Sequence, residues 1–550
     1  MESHPTGQQD TGQRGDQEFG TLPAMVTIIA ERYGDRVAIE DGATTLSFAQ
    51  LPAQVERATQ AMIAHGIAPG DRVAIWAPNM WEWIVATLGL HSAGAILVPI
   101  NTRYKAAEAA YMLRKAHVKM LLTVTDFLNT DYVALLQAHG SPPEALETTV
   151  VMRGHAPEGT LSWDAFLEHG HTVSSAQARE RAAQVSPEDL SDILFTSGTT
   201  GQPKGAMCTH AQSLRAYRDW SHVVGLTAGD RYLVVAPFLH CFGYKAGWLA
   251  ALMMGATVLP QPIFDPVAVM KRIGQDRVSM LPGPPALYQT LLGRDDLGQH
   301  DLSSLRLAVT GAAVIPVELI QRMKDELGFE TVITGYGLTE ACGIATMCRT
   351  DDEPTTIAQT SGRAIPDVEV KVVDTAGNTV EPNTPGEVMV RGYNVMKGYL
   401  DEPQQTEATL DADGWLHTGD IGVMDAQGYI RITDRKKDMF IMGGFNCYPA
   451  EIESLMLRNE DLVQAAVIGV PDARMGEVGM AFVTAREGAK VDEASIVAWC
   501  RKAMANFKVP RYIEVVEALP MNATGKVQKF VLRERAPGLL AARTTAEPPS

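Results

Sequence analysis

Short apolar runs alternate with amphipathic stretches along the chain from about Arg72 to Gly337. The runs are rich in Val, Ile and Leu and carry few polar positions, which is typical of strands buried on both faces of a parallel sheet. Stretches with helical periodicity, such as residues 317–327, separate several of these runs. This alternation predicts parallel sheets covered by helices on both faces. The predicted strands are RVAIWAP, AILVPIN, KMLLTV, DILFT, RYLVVAP, ATVLP, LRLAVTG and TVITG.

The pattern changes after Ala364. DVEVKVVD, GEVMVRG and YIRITDR alternate apolar and polar positions between turn residues, which predicts a small β-barrel or meander. From Arg435 onwards, two predicted helices and two predicted strands form a smaller α+β segment. We therefore predict an α/β protein: a large N-terminal domain of parallel αβ sheets plus a small β-barrel, followed by a smaller, mobile α+β C-terminal domain.

Length and terminal composition set the expected domain boundaries. A chain of 550 residues is too long for one compact core, so at least two domains are expected. Both termini are polar, and the first lacks the apolar segment of a signal peptide. We predict a disordered arm at 1–20, an N-terminal domain at 21–434, a C-terminal domain at 435–536 and a disordered tail at 537–550.

Composition narrows the class of protein. Apolar content of 46% and charged content of 20% are typical of a soluble enzyme, and the net charge of -18 argues against nucleic acid or anionic membranes as partners. The longest apolar stretches are interrupted by polar residues, so no membrane insertion and a cytoplasmic location are expected. Six scattered cysteines form no C-x-x-C pair and predict reduced thiols rather than a zinc site.

The segment FTSGTTGQPKG, residues 195–205, holds three glycines, four hydroxyls and one lysine. Glycines let backbone N–H groups approach an anion, hydroxyls add hydrogen bonds, and lysine adds charge, so the segment predicts a phosphate-binding loop. It is not a P-loop, because Lys204 lies between Pro203 and Gly205 and the spacing does not fit. The candidate phosphate-binding residues are Thr196, Ser197, Gly198, Thr199, Thr200, Gly201 and Lys204.

Four further motifs combine glycine or turns with polar chemistry. YGLTE, residues 336–340, follows an apolar strand, and ligands of α/β sheets bind at the carboxyl ends of strands. WLHTGD ends in Asp420, DRKKD follows it, and PMNATGKVQK places Lys526 in a turn near the C-terminus. Each motif alone is also compatible with a turn, a solvated charge run or a capping carboxylate. Their joint order is far more specific.

With these motifs in this order, the chain resembles the adenylate-forming superfamily of acyl-CoA synthetases, luciferases and peptide-synthetase adenylation domains, from about Thr21 to Arg535. The resemblance implies that ATP, Mg²⁺ and coenzyme A are used. It implies that the glycine-rich loop binds the β- and γ-phosphates of ATP and releases pyrophosphate after the first half-reaction. It also implies that Tyr336 stacks on adenine, Thr339 binds the α-phosphate and Glu340 is the metal ligand for Mg²⁺. The residues expected around the adenine are Gly311, Ala312, Ala313, Tyr336 and Gly337.

The resemblance assigns further roles in the C-terminal part. Asp420 is expected to accept the ribose hydroxyls and Arg435 to contact ribose and phosphate. Lys526 is expected to bridge the substrate carboxylate and the α-phosphate, offsetting the repulsion between two anions. Lys437 matches the hinge about which the small domain rotates between half-reactions. Gly444, with Gly443 before it, matches a loop that the pantetheine arm of coenzyme A passes.

The GGFN-YPAEIE pattern, with Cys447 in its gap, favours a coenzyme A ligase. The resemblance leaves other members open: an enzyme that forms the thioester from a preformed acyl-adenylate, an adenylating enzyme with another acceptor, a luciferase-like oxidase, or a catalytically silent adenylate-binding protein. The expected partners are a carboxylic acid or its adenylate and coenzyme A. A homodimer is compatible with the sequence.

The acid substrate is expected to be bulky. PFLHCFGYKAGW matches the segment that forms the acyl pocket and its gate, with His240 near the carboxylate; the alternative for His240 is a core histidine. Gly337 stands where acetate-specific relatives carry tryptophan, so acetate is not expected. Cys241, Cys342 and Gly343 are small and are expected to leave room for a long chain or ring system. The chain resembles actinobacterial ligases for steroid- or terpenoid-type acids most closely.

Overall fold

A computed structural model gives the structure of the chain. It describes residues 14–140, 143–196, 203–311, 315–435, 438–442, 445–472, 475–489, 491–504, 506–521 and 526–546. The chain divides into two compact units. Unit 1 consists of Met1–Val370, Val390–His417 and Gln427–Ile430, and unit 2 consists of Lys371–Met389, Thr418–Ala426 and Arg431–Ser550.

The first half of the chain contributes most of the strands and helices of unit 1. The strands are β1 Val37–Asp41, β2 Thr44–Ser47, β3 Arg72–Trp76, β4 Ile96–Pro99, β5 Val118–Val124, β6 Thr148–Arg153, β7 Leu161–Ser162, β8 Leu190–Thr196, β9 Lys204–Thr209, β10 Arg231–Val234 and β11 Thr257–Pro260. The helices are α1 Gly15–Phe19, α2 Leu22–Tyr33, α3 Leu51–Ala64, α4 Trp81–Ser92, α5 Ala106–Lys115, α6 Tyr132–His139, α7 Trp163–His169, α8 Ser175–Ala183, α9 His210–Val224, α10 Ala250–Met254 and α11 Pro266–Gln275.

The second half continues with further strands and helices. The strands are β12 Leu307–Gly311, β13 Thr331–Tyr336, β14 Thr346–Met347, β15 Arg363–Ala364, β16 Val368–Val373, β17 Gly386–Gly392, β18 Gly398–Tyr399, β19 Leu416–Met424, β20 Ile430–Arg435, β21 Phe440–Met442, β22 Phe445–Cys447, β23 Leu462–Asp472, β24 Gly476–Ala485 and β25 Tyr512–Val515. The helices are α12 Pro285–Leu292, α13 Val317–Asp325, α14 Pro354–Gln359, α15 Pro403–Thr409, α16 Pro449–Met456, α17 Glu493–Ala503 and α18 Lys529–Ala546.

An eight-stranded sheet of unit 1 has the order β18-β9-β8-β4-β3-β5-β6-β7. Its central strands are parallel, and β8 and β9 form an antiparallel hairpin. Two four-stranded sheets, β10-β11-β1-β2 and β12-β13-β14-β15, complete the α/β part. All eight predicted strands of this region are present, which confirms the α/β prediction. Burial on both faces explains their nearly continuous apolar runs.

The predicted meander is a four-stranded sheet with the order β16-β17-β19-β20. In unit 2, β22-β21-β24-β23 form a sheet in that order, and β25 pairs with β24. Helix α16 packs on β23, and α17 packs on β25. This sheet with its helices is the smaller α+β part predicted for the C-terminal region.

The chain ends differ in detail from the expected arm and tail. Helix α1 forms before residue 20, where Gly15 packs so closely on α9 that a Cβ atom would lie 2.2 Å from the Leu214 carbonyl oxygen. Helix α18 continues to Ala546 and buries Leu532 and Ala536 against the sheet of unit 2. Among the described residues, no helix is both long and apolar enough to cross a membrane.

Candidate functional site

The glycine-rich loop connects the two strands of the β8–β9 hairpin. Thr196 pairs with Lys204 at the last register position, so these two residues mark where the loop leaves and rejoins the sheet. Both are half-buried. The other candidates in this loop, Ser197, Gly198, Thr199, Thr200 and Gly201, lie outside the described residues.

The Glu340 carboxylate lies at the end of this hairpin. Its Oε1 accepts hydrogen bonds from the Tyr399 hydroxyl at 2.8 Å and from the Thr196 hydroxyl at 3.3 Å. Burial and the charge of Glu340 raise the pKa of Tyr399 above its usual value, so Tyr399 remains a donor. Two sequence-predicted residues, Thr196 and Glu340, are therefore brought together, although 144 positions separate them.

Tyr399 also lies beside Lys204. The Lys204 ammonium is 5.3 Å from the centre of the Tyr399 ring and donates to the Gln405 side chain at 2.7 Å. Tyr399 reaches this position because β18 pairs with β9, with Tyr399 opposite Ala206. Sequence reasoning missed Tyr399 and Gln405, since neither lies in a glycine-rich or charged motif.

Of the expected adenine-binding residues, Gly311 and Tyr336 lie at the carboxyl edge of β12 and β13. These strands are parallel, with Gly311 opposite Gly335, so Gly311 and Tyr336 end neighbouring strands at the same edge. Tyr336 is half-buried, and its carbonyl accepts a hydrogen bond from Ala345 N at 2.9 Å. Ala312 and Ala313 lie outside the described residues.

Thr339 begins a short 3₁₀ helix, Thr339–Ala341, that carries Glu340. Cys342 ends this helix with φ of 54°, in the left-handed region that a non-glycine residue seldom occupies. Two contacts from neighbouring segments hold the turn: Met396 N donates to the Glu340 carbonyl at 2.8 Å, and the Asn394 amide donates to the Ile344 carbonyl at 2.7 Å.

Gly337 has a packing reason to be glycine. A Cβ atom there would lie 2.3 Å from the Gly343 carbonyl oxygen and 2.5 Å from the Ile344 Cα atom. Any side chain at 337 would therefore displace the backbone after the Glu340 turn. The close approach of the Gly343 and Ile344 backbone leaves no space for a tryptophan at this position.

The three small residues expected to leave room for the acyl chain are instead closely packed. A Cβ atom on Gly343 would lie 2.4 Å from both the Cys241 Cβ atom and the Tyr217 hydroxyl. Cys342 is fully buried, and its carbonyl accepts the Tyr217 hydroxyl at 2.8 Å. The expectation of open space at these residues is therefore wrong for this structure, because their small size allows close approach of neighbouring segments.

His240 lies in a turn fixed by a buried asparagine. The Asn79 side chain accepts a hydrogen bond from Phe238 N at 2.8 Å and donates to the Ala236 carbonyl at 2.9 Å. His240 is half-buried, and its carbonyl accepts Tyr244 N at 2.9 Å at the start of a π-helical turn, Tyr244–Leu249. His240 precedes Cys241, which places it beside the packed segment around Gly343.

A buried charged pair lies next to the same segment. Lys245 and Asp192 are both fully buried, and their Nζ and Oδ1 atoms are 2.9 Å apart. Burial alone would lower the pKa of Lys245, but the Asp192 carboxylate and neighbouring thiols raise it well above its usual value. A hydrogen bond from the Cys208 thiol, together with the Lys245 charge, lowers the pKa of Cys342 to about 7 against the effect of burial. Sequence reasoning assigned no role to this pair.

In unit 2, Asp420 lies on β19 and is almost fully buried. Its backbone N–H donates to the Thr418 hydroxyl at 3.0 Å, which in turn donates to the Val388 carbonyl at 2.7 Å. Arg435 is the last residue of β20, and its neighbour Asp434 accepts a hydrogen bond from Ala450 N at 2.8 Å, at the start of α16.

Lys526 is exposed and adjoins the bridge between Met521 and Val527. Lys437, Gly443 and Gly444 lie outside the described residues. Strand β21 precedes the two glycines and β22 follows them. The two strands pair with each other, and Met442 lies opposite Phe445.

Comparisons with known proteins identify the family of the chain. The family model described as AMP-binding enzyme matches residues 27–400, and the AMP-binding enzyme C-terminal domain matches residues 451–526. The chain is 47% identical over 517 residues to the "3-[(3aS,4S,7aS)-7a-methyl-1,5-dioxo-octahydro-1H-inden-4-yl]propanoyl:CoA ligase" of Rhodococcus jostii, covering 94% of this chain and 98% of the relative. The protein of the same name from Mycobacterium tuberculosis is 49% identical, with 94% and 99% covered.

Solved structures of related enzymes have the same fold. The structure of an anthranilate CoA ligase in complex with anthranoyl-AMP is 28% identical, with a TM-score of 0.81 and coverage of 94% of this chain and 98% of that chain. A Mycobacterium tuberculosis fatty acyl CoA synthetase is 31% identical, with a TM-score of 0.75 and coverage of 95% and 99%. The motifs, the fold and these matches together lead to one conclusion: the chain belongs to the AMP-binding enzyme family.

Proposed function

We propose that this acyl-CoA ligase activates a bulky, ring-containing carboxylic acid with ATP and passes the acyl group to coenzyme A. The observation that carries the proposal is the Glu340 carboxylate, held by Tyr399 and Thr196 where the glycine-rich loop leaves the sheet. The substrate class follows the names of the two relatives at 47% and 49% identity, which act on a fused-ring propanoyl group.

The residues at the end of the β8–β9 hairpin serve the first half-reaction. The loop that begins at Thr196 surrounds the β- and γ-phosphates of ATP, and Lys204 supplies positive charge beside them. Thr339 binds the α-phosphate, and Tyr336 with Gly311 and Gly337 lines the adenine, because these residues share the carboxyl edge of the sheet. Ala312 and Ala313 complete the adenine-binding segment.

Glu340 fits the role of a Mg²⁺ ligand. Among the described residues, Thr196 and Tyr399 donate hydrogen bonds to the Glu340 carboxylate, and both bonds end on Oε1. These bonds anchor the carboxylate, and Oε2 is the oxygen that would bind the cation. Within the described ranges, no group of three or more His, Cys, Asp or Glu side chains is arranged to hold a metal ion, and Mg²⁺ bound by one carboxylate would take its other ligands from phosphates and water. Bound there, Mg²⁺ would neutralise phosphate charge.

The residues of unit 2 serve both half-reactions. Asp420 accepts the ribose hydroxyls, and Arg435 adds a second contact to ribose and phosphate. Lys526 bridges the acid carboxylate and the α-phosphate, and then withdraws when the small domain rotates about Lys437. Gly444 keeps the pantetheine passage open for the second half-reaction. His240 lies near the acid carboxylate.

A panel of carboxylic acids tests the substrate class. With ATP, Mg²⁺ and coenzyme A, we expect kcat/KM for a fused-ring propanoic acid to exceed that for acetate by at least about 10²-fold, because an apolar surface of several methylenes discriminates by that amount. A straight-chain acid of equal carbon number is the matched control, and we expect it to be used less well. Acyl-CoA formation is measured by chromatography.

Equal efficiency across the panel, or a preference for acetate, would show that the acid is not bulky. Product formed only when the acyl-adenylate is supplied would instead identify an enzyme of the thioester-forming step alone. Pyrophosphate release without acyl-CoA would point to another acceptor.

A further inference from the structure

The buried Asp192–Lys245 pair is held by contacts to both carboxylate oxygens. Besides the 2.9 Å ion pair between Lys245 Nζ and Asp192 Oδ1, the Ser191 hydroxyl donates to Asp192 Oδ2 at 2.7 Å. Both charged side chains have no exposed surface. Removing two charges from water is unfavourable, and apolar residues in place of a buried pair often give equal or greater stability. The pair is therefore weak evidence for a purely stabilising role.

Lys245 connects this pair to the turn that carries Glu340. Its Nζ atom donates to Cys342 Sγ at 3.4 Å, and Tyr217 donates to the carbonyl of the same residue at 2.8 Å. Cys342 has the left-handed backbone that ends the Thr339–Ala341 helix, which is unfavourable for a non-glycine residue. Contacts to both its side chain and its carbonyl offset that strain and fix the end of the turn.

Strand β8 is connected to the Thr339–Cys342 turn at two places. Asp192 and Thr196 lie on one face of β8, because side chains alternate along a strand, and they are about 13 Å apart along it. Thr196 contacts the Glu340 carboxylate, while Asp192 reaches Cys342 through Lys245. The turn is thus held to β8 both at the carboxylate and two residues after it.

We propose that Asp192 and Lys245 are positioning residues that fix the Thr339–Cys342 turn and so orient Glu340 for binding of the metal–nucleotide complex. This inference rests on the proposed function of Glu340. Neither residue touches the reacting groups: Lys245 acts through Cys342, and Asp192 acts through Lys245. A rigid turn keeps the Glu340 carboxylate in place before the nucleotide arrives.

The test uses the full chain with the substitutions Lys245→Met and Asp192→Asn, singly and together. The single Lys245→Met variant leaves a buried carboxylate without its cation and is expected to be less stable. The double variant removes both charges and is expected to fold. The control is Arg306→Met, which breaks the ion pair of Arg306 with the buried Asp230 elsewhere in unit 1.

In the folded double variant, we expect adenylate formation to fall by about 10²-fold, because a displacement of about 1 Å at a reacting group has that effect. Binding of Mn²⁺ with a non-hydrolysable ATP analogue, followed by electron paramagnetic resonance, should weaken in parallel. Thioester formation from supplied acyl-adenylate should fall by less than about tenfold, since that step releases no pyrophosphate. Arg306→Met should leave Mn²⁺–nucleotide binding unchanged.

Parent-like Mn²⁺–nucleotide binding and adenylation in the double variant would overturn the inference. Equal losses in both half-reactions would also overturn it, if the fraction of folded protein measured by thermal unfolding accounts for their size. If the parent chain itself releases no pyrophosphate, the proposed function fails, while the Mn²⁺–nucleotide measurement still tests the positioning role by itself.

Discussion

Replacing Lys526 by alanine is expected to lower adenylate formation by about 10²–10³-fold, the effect typical of removing one electrostatic group that stabilises a transition state. The attack of a carboxylate on a phosphate brings two anions together, and the lysine offsets that repulsion. Thioester formation from supplied acyl-adenylate should be retained, because the new acceptor is a thiol. The two half-reactions are measured separately, by pyrophosphate release and by acyl-CoA.

Lys529→Ala is the matched control for this variant. Lys529 lies three residues further along, and its ammonium is 2.7 Å from Glu453 within unit 2, so its loss removes the same charge from the same region. We expect both half-reactions to stay near the parent rates. Equal loss of both half-reactions in Lys526→Ala would contradict the separate roles proposed for the two steps.

Replacing Gly444 by leucine is expected to have the opposite effect. Adenylate formation should continue, while acyl-CoA formation should fall by at least about 10²-fold, because a side chain in the pantetheine passage displaces the thiol from the acyl carbon. Acyl-adenylate should then accumulate or be released. Chromatography of the nucleotide products, with acyl-CoA measured in the same samples, follows both outcomes.

Gly444→Ala and Gly538→Leu are the controls for this variant. Alanine at 444 adds one methyl group and should give an intermediate loss. Gly538 is exposed in α18, and a Cβ atom added to it would meet none of the described atoms within 4 Å, so leucine there should leave both half-reactions unchanged. Acyl-CoA formation at the parent rate in Gly444→Leu would remove the support for a passage at this loop.

The fold was predictable where burial is uniform. Strands such as β3 and β8 are covered on both faces, so their apolar runs are nearly continuous and their type can be read from the sequence. The ends of the chain were less predictable. Helix α18 extends to Ala546 because a few of its apolar residues pack against the β23–β24 sheet within unit 2, a tertiary effect that a polar composition does not reveal.

The candidate site was predictable only where its residues lie in motifs. Glu340 and Thr196 were recognisable from YGLTE and the glycine-rich loop, and the structure brings them within 3.3 Å. Tyr399 lies in no such motif, and its contact with Glu340 depends on the pairing of β18 with β9. Local sequence does not encode such a pairing, because it joins segments far apart in the chain.

The buried Asp192–Lys245 pair was not predicted for the same reason, because it also joins segments far apart in the chain. Asp192 directly precedes the apolar run ILF in β8, and Lys245 stands in an apolar helical segment. Each looks like a single irregularity in its own segment, and only the fold shows that they are 2.9 Å apart. Gly337 and Gly343 show the converse: the first is small because the Gly343 backbone approaches it, and the second because the Cys241 and Tyr217 side chains do.

The central claim is that one chain forms its own acyl-adenylate and then converts it to the thioester. A rapid-quench experiment with enzyme, ATP, Mg²⁺ and a fused-ring propanoic acid, without coenzyme A, tests it most directly. We expect a burst of pyrophosphate close to one equivalent per active chain, and an equal amount of acyl-CoA when coenzyme A is added afterwards. No pyrophosphate burst, with acyl-CoA formed only from supplied acyl-adenylate, would contradict the claim.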